Sequence, residues 1–200
     1  MNVIIRGGLV LSSAAVVFAC DRMGEPKDRP GDTTTTGATS ASAHSTDQVD
    51  RSAGEKKLVE EHLATFDDLD FNVFSKQRWD EFSKSHSQDV TVHWPDGHVT
   101  KGLEKHVEDM KTMFTYAPDT RIPEHTVKLG SGDFTSVIGT MEGTFTKPMS
   151  LGNGKVAQPT KKAFKLTMNT VGHWRGGVMD EEYLFWDNGA FMKQIGLTPP

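Results

Sequence analysis

The chain has 200 residues, 36% of them hydrophobic and 24% charged, with a net charge of -5 at neutral pH. That is enough for one domain with a real core and too little for two, so the folded part should be a single unit. A sequence pI of about 5.9 and the lack of any Lys/Arg block exclude nucleic acid as a partner.

Met1 to Arg6, then the apolar and small-residue run from Gly7 to Ala19, then the single cysteine Cys20 follow the pattern of a secretory signal: charged start, apolar middle, small-residue exit. The run is too short, and too rich in Gly, Ser and Ala, for a spanning helix of about 20 apolar residues. Val17-Phe18-Ala19-Cys20 resembles a bacterial lipobox, with Phe18 larger than the usual residue there. That resemblance implies cleavage before Cys20, a diacylglyceryl group on its sulfur, and an exported protein held by lipid to a membrane of the bacterial cell envelope. The other reading is an ordinary secretory signal with a chance cysteine. In either case one cysteine allows no disulfide within the chain. Asp21 is similar to the inner-membrane retention signal of Gram-negative lipoproteins.

Asp21 to Ala53 contains no aromatic residue and almost nothing aliphatic, so it cannot bury enough apolar area to offset the entropy of ordering. It is expected to be a flexible tether with an end-to-end distance of about 30 Å. The expected organisation is a signal over 1–19, a lipidated cysteine and tether over 20–54, and a domain over 55–200. Ser52 to Glu55 fits a capping box, and Leu58, Val59, His62, Leu63 and Phe66 recur at helical spacing, predicting a helix from about Glu55 to Phe66. A second helix is expected over Lys76 to Lys84, capped by Ser75, with Trp79 and Phe82 inward.

The period then changes. Val90 to Trp94 alternates as a strand, and Pro95-Asp96-Gly97 turns it into His98 to Thr100. Leu103, Val107, Met110 and Phe114 mark a helix that must end before Pro118. Strand patterns follow at His125 to Leu129, Phe134 to Phe145, Ala163 to His173 and Val178 to Asp187. The excursion from Lys147 to Pro159 is long for a hairpin loop and reads as a lid or rim. Helices first and an antiparallel meander afterwards predict an α+β domain, its curved sheet closed on one face by the N-terminal helices.

Three segments in this order resemble the SnoaL-like polyketide cyclase family of the nuclear-transport-factor-2-like superfamily. They are Val90 to Gly97 with Gly102, Pro159-Thr160-Lys161-Lys162, and Trp186-Asp187 leading to Gln194-Ile195-Gly196-Leu197. Their order along the chain matches as well, so the resemblance covers roughly residues 55 to 197. Lys161 departs from a Pro-Thr-Gly-Lys pattern, where glycine would stand. The resemblance implies a cone with an internal pocket, a small hydrophobic ligand, no cofactor, and a homodimer paired through the sheet. It also implies one of two functions: cofactor-independent acid/base chemistry of cyclase or isomerase type, or a non-catalytic ligand-binding or protein-interaction lipoprotein of the same fold.

If Gly176-Gly177 forms a tight two-residue turn, Arg175 faces Val178, and an unbroken ladder sets Thr170 opposite Tyr183, Met168 opposite Phe185 and Leu166 opposite Asp187. Asp187 would then be a lone carboxylate on an apolar face, its proton affinity raised by burial to suit acid/base catalysis. The family's catalytic aspartate falls at the same place. The alternative is a solvated Asp187 that caps the C-terminal helix. His93 is the second catalytic candidate, and Tyr183, Trp94, Met168 and Phe185 are candidates for lining the pocket. The same register sets His173 against Asp180, far from Asp187. His86, His93, Asp96, His98 and His106 lie close in sequence but match no zinc spacing, so no metal site is expected. Asp68 to Asn72 begins like a calcium loop, but Val73 replaces its glycine. The tail residues Phe191, Met192, Ile195 and Leu197 are too apolar to stand in water and are expected to dock on the domain.

Overall fold

Alternation of side chains along the strands builds the core. In the computed structural model, which describes residues 41–198 with side chains from Asp50 onward, Phe164, Leu166, Met168, Thr170 and Trp174 of one strand all point inward and are buried. The expected signal, Cys20 and the tether as far as residue 40 lie outside the described residues.

The first helix, α1, runs Ala41–Asp68, starting well before the expected Glu55. Residues 50–57 of it are all exposed, so that stretch is held by helix propensity and i,i+4 pairs such as Lys56 with Glu60 and Lys57 with Glu61. Its last turns supply Leu63 and Phe66 to the core. The chain then widens into a π-helical turn, Leu69–Phe74, that buries Leu69, Asp70, Val73 and Phe74. The expected second helix shrinks to a 3-10 segment, Trp79–Lys84, with Phe82 buried. Ser75 does not cap it: its hydroxyl donates to the Asp70 carbonyl and accepts from the Ile122 amide.

The strands are β1 (His86–His93), β2 (Val99–Lys101), β3 (Arg121–Ser131), β4 (Phe134–Thr144), β5 (Met149–Ser150), β6 (Val156–Ala157), β7 (Ala163–Arg175) and β8 (Val178–Phe185), with α2 (Leu103–Tyr116) between β2 and β3. Six of them form one sheet in the order β2-β1-β8-β7-β4-β3, while β5 and β6 pair separately within the long excursion. The meander is antiparallel as expected, but β1 joins β8 in parallel, returning the N-terminal strand beside the last one. α1, the π-turn and α2 cover one face, and the core lies between them and the sheet.

The β7–β8 hairpin differs from the expected register at one point. Arg175 pairs with Val178 and Trp174 with Met179, but His173 then pairs with Glu181, leaving Asp180 as an extra residue on β8. Side chains alternate with period two, so this bulge turns everything beyond it to the opposite face. Val171, not Thr170, faces Tyr183, and Asn169, not Met168, faces Phe185. Gly172 accommodates the bulge, since a Cβ there would lie 2.5 Å from the Met179 sulfur.

The tail docks as expected: α3 (Asn188–Gln194) buries Phe191, and Ile195 just after it is fully buried. Gln194 accepts from the Lys165 amide and donates to its carbonyl, covering the start of β7 beyond the reach of β8. Lys161 adopts φ +60°, the left-handed conformation that glycine favours. The loop therefore keeps the glycine-type shape despite the substitution, closed by hydrogen bonds between Phe145 and the backbone of Lys161 and Lys162.

Candidate functional site

Between the sheet and the helices lies a cavity of about 40 Å³. Since a water needs roughly 10–15 Å³ measured this way, it holds only a few. Met110 and Met113 from α2, Met141 from β4 and Met168 from β7 line it, with Leu69, Phe74 and Ile122. Thioether side chains are unbranched and re-pack readily, so such a wall can enlarge around a guest. The polar residues on this wall are Asp70, His86, His106, Thr170 and Glu182.

Asp70 arrives through the π-turn, whose extra residue rotates it inward at the end of α1. Its Oδ2 accepts from His125 Nε2 at 2.8 Å, and His125 Nδ1 lies 2.8 Å from Asp67 Oδ1. Lys128 Nζ meets the other Asp67 oxygen at 2.6 Å. This chain of four groups leads from the cavity wall to the surface. Burial pushes the Asp70 carboxyl above the usual carboxylate range, although His125 opposes it. Burial also works against a charged His125, but the carboxylates of Asp70 and Asp67 outweigh it and hold the imidazole above its ordinary value. Both ring nitrogens of His125 are thus engaged by carboxyl groups.

The second group combines three elements: His86 opens β1, His106 sits on α2 and Glu182 on β8. All three are buried, at 1%, 2% and 4% exposure. Glu182 Oε2 is 3.4 Å from His106 Nε2 and 3.7 Å from His86 Nε2. The His86 separation is too long for a hydrogen bond, and both His86 Nε2 and Glu182 Oε2 are without a hydrogen-bond partner. Burial drives His106 down to about 4, so its imidazole is neutral at pH 7 despite the carboxylate beside it.

The bulge at Asp180 decides which carboxylate is buried. Asp187 lies past the end of β8, exposed, and its Oδ1 accepts from the Ala190 amide at 2.9 Å as the N-cap of α3. This overturns its expected placement on the apolar face, and Glu182 takes that place. Tyr183 turns outward with Glu181, and its ring stacks on His93 at 4.2 Å. His93 Nε2 meets Glu181 Oε1 at 2.8 Å, so His93 and Tyr183 form an outer-face cluster instead of lining the cavity. Phe185 is 52% exposed on the same outer side. Met168 does line the cavity, while Trp94 stands half-buried behind it, 5.9 Å from the His106 ring and hydrogen-bonded to Thr100. His173 reaches Asp180 at 2.5 Å as expected, even though its backbone partner is now Glu181.

Of the five residues clustered between His86 and His106 in sequence, the fold brings His86 and His106 together and leaves His93, Asp96 and His98 outside. Asp70, in the rejected calcium-like segment, and Glu182, hidden by the register slip, were not singled out. Gly172 was the available signal, because a glycine inside a strand pattern marks a bulge.

The SnoaL-like polyketide cyclase profile matches residues 69–195. No curated protein sequence matches the chain significantly. Among solved structures, a candidate SnoaL-like polyketide cyclase from Jannaschia sp. CCS1 superposes with a TM-score of 0.61 at 17% identity, covering 70% of this chain and 94% of that one. IdmH of Streptomyces antibioticus, a candidate polyketide cyclase, gives 0.58 at 19% identity over 68% of this chain and 99% of its own. TsrD from Streptomyces laurentii gives 0.56 at 14% identity over 70% and 96%. At such identities these structures share a fold with this chain and nothing finer. With the family profile spanning more than half the sequence and the cone built as that family builds it, the chain belongs to the SnoaL-like polyketide cyclase family.

Proposed function

We propose that the domain binds a small hydrophobic carbonyl compound in the methionine-lined cavity and moves a proton on it, in cofactor-independent chemistry of cyclase or isomerase type. The observation that carries this is Asp70, a buried carboxylate on an apolar wall, hydrogen-bonded through His125 to Asp67. A carboxylate so placed takes a proton from the carbon beside a ligand carbonyl and returns it to the product, while His125 fixes its orientation. Asp187 keeps the role of helix cap in this proposal.

The test begins with a panel of hydrophobic carbonyl compounds scored by the rise they cause in unfolding temperature. For a compound that binds and turns over, Asp70→Asn is expected to lower kcat by at least about 100-fold with KM little changed. Equal turnover in wild type and Asp70→Asn would remove the aspartate from the chemistry. Asp187→Asn should leave turnover intact.

The proposal extends to location and assembly. A thioether-linked diacylglyceryl group on Cys20 would hold the domain at an envelope membrane, supported by the signal pattern and the solitary cysteine. Detergent phase partitioning is the check: wild type should enter the detergent phase and Cys20→Ala should not. A homodimer through the outer sheet face would cover Phe185, and sedimentation equilibrium would report it.

A further inference from the structure

We infer that His86, His106 and Glu182 form a binding site for a divalent transition-metal ion of the zinc class, with the open coordination position facing the cavity. The three ligand atoms lie within 4.8 Å of one another. A tetrahedral ion with bonds of about 2.0–2.1 Å needs its ligand atoms about 3.4 Å apart. The His106–Glu182 separation already has that value and the His86–Glu182 separation exceeds it by a few tenths of an ångström. Two imidazoles and one carboxylate with a free position are the ligand set of catalytic zinc and of non-haem iron.

The hydrogen bonds around His86 provide an independent argument. Ser85 Oγ donates to the Phe82 carbonyl at 3.2 Å, so its lone pair faces His86 Nδ1 at 2.9 Å, and the same nitrogen lies 3.4 Å from the Phe82 carbonyl. With the Ser85 hydroxyl turned to Phe82, Nδ1 carries the ring proton between two acceptors and Nε2 keeps a lone pair, which is the tautomer the proposed site requires. That lone pair points towards a carboxylate oxygen that also has no hydrogen-bond partner. Two buried acceptors in opposition repel, and a cation between them removes the repulsion. Orientation of a ligating imidazole by a hydrogen bond at its other nitrogen is the usual outer-shell arrangement of protein metal sites. Each of the three residues lines the cavity, which leaves room for a further ligand on the ion. Asp70 is not among the ligands, so the site stands or falls separately from the proposed proton transfer.

The experiment titrates the intact, chelator-stripped protein with Zn²⁺ against a chromophoric competitor and records the visible spectrum of its Co²⁺ form. One equivalent of Zn²⁺ should bind. Glu182→Gln and His106→Gln should each weaken binding more than about 100-fold, and Ser85→Ala, which acts on the orientation of His86, by about 10-fold. His93→Gln, on the outer face, should not change it. Co²⁺ bound to the wild type should show the strong visible bands of four- or five-coordination, a readout that does not depend on any variant folding. Absence of Zn²⁺ binding, a Co²⁺ spectrum like that of the aqueous ion, or equal affinity in wild type and Glu182→Gln would each overturn the assignment. In those cases a proton shared between His86 and Glu182 would be what the cluster holds.

Discussion

Glu181 and Glu182 are neighbours in sequence and opposites in circumstance. Glu181 faces outward, where the hydrogen bond with His93 and the neighbouring Tyr183 hydroxyl hold its carboxyl below the usual range. Glu182 faces inward, 4% exposed, with two imidazoles beside it and one oxygen without a partner. Both carboxylates have histidine neighbours, yet the outer cluster is wet and satisfied while the inner one is dry and incomplete. Residue type and spacing therefore say little about chemistry until the face is known. Water screens the outer pair and lowers the value of its contact, whereas burial magnifies every unpaired atom of the inner group.

Adjacent substitutions on β8 give the strongest test of that division. Leu184, 5% exposed on the inner face, should cost about 2–5 kcal/mol of unfolding free energy when changed to Ala, the usual range for a leucine core truncation. Phe185→Ala should change it by less than about 0.5 kcal/mol, since its ring is half-exposed. Denaturant unfolding of the two variants measures both, and equal losses would mean that the bulge at Asp180 is misplaced.

The second test contrasts the buried relay with the wet cluster through pH. The folded-state pKa of His125 is raised above its unfolded value of 6.5 by the two carboxylates that engage it. Its contribution to stability is therefore complete below that unfolded value and lost as pH rises through the higher folded one. Unfolding temperatures of the wild type should fall over that alkaline interval, and His125→Gln should flatten the fall while His93→Gln leaves it unchanged. A decline of the same steepness in His125→Gln would assign it to another group.

The smallest expected effect lies outside the sheet faces, at Lys161, whose left-handed backbone carries strain of order 1–2 kcal/mol. Lys161→Gly removes that strain but gives the unfolded chain more freedom, so a net gain of about 0.5–1 kcal/mol is expected. A loss of stability would show that the lysine side chain contributes more than its backbone costs.

Much of this architecture is written in local pattern. The period of 3.6 in Leu103 to Phe114 and the period of two in Ala163 to His173 depend only on which side of an element meets water, so α2, the strands and the docking of Phe191 and Ile195 were legible. So was the family, through short segments in a fixed order. The length of α1 was not, because residues 50–57 bury nothing and leave no apolar trace of being helical. The candidate site was legible only in part. Met168 could be placed from an unbroken alternation that needed no partner strand. The inward carboxylate could not, because a ladder transmits register without error only until an extra residue intervenes, and Asp180 became that residue once Met179 packed against Gly172. The meeting of His86, His106 and Glu182 likewise required β1 to lie parallel to β8 with α2 laid across it. No spacing along a chain encodes such a meeting, since three residues from three elements become neighbours only when the whole core closes around them.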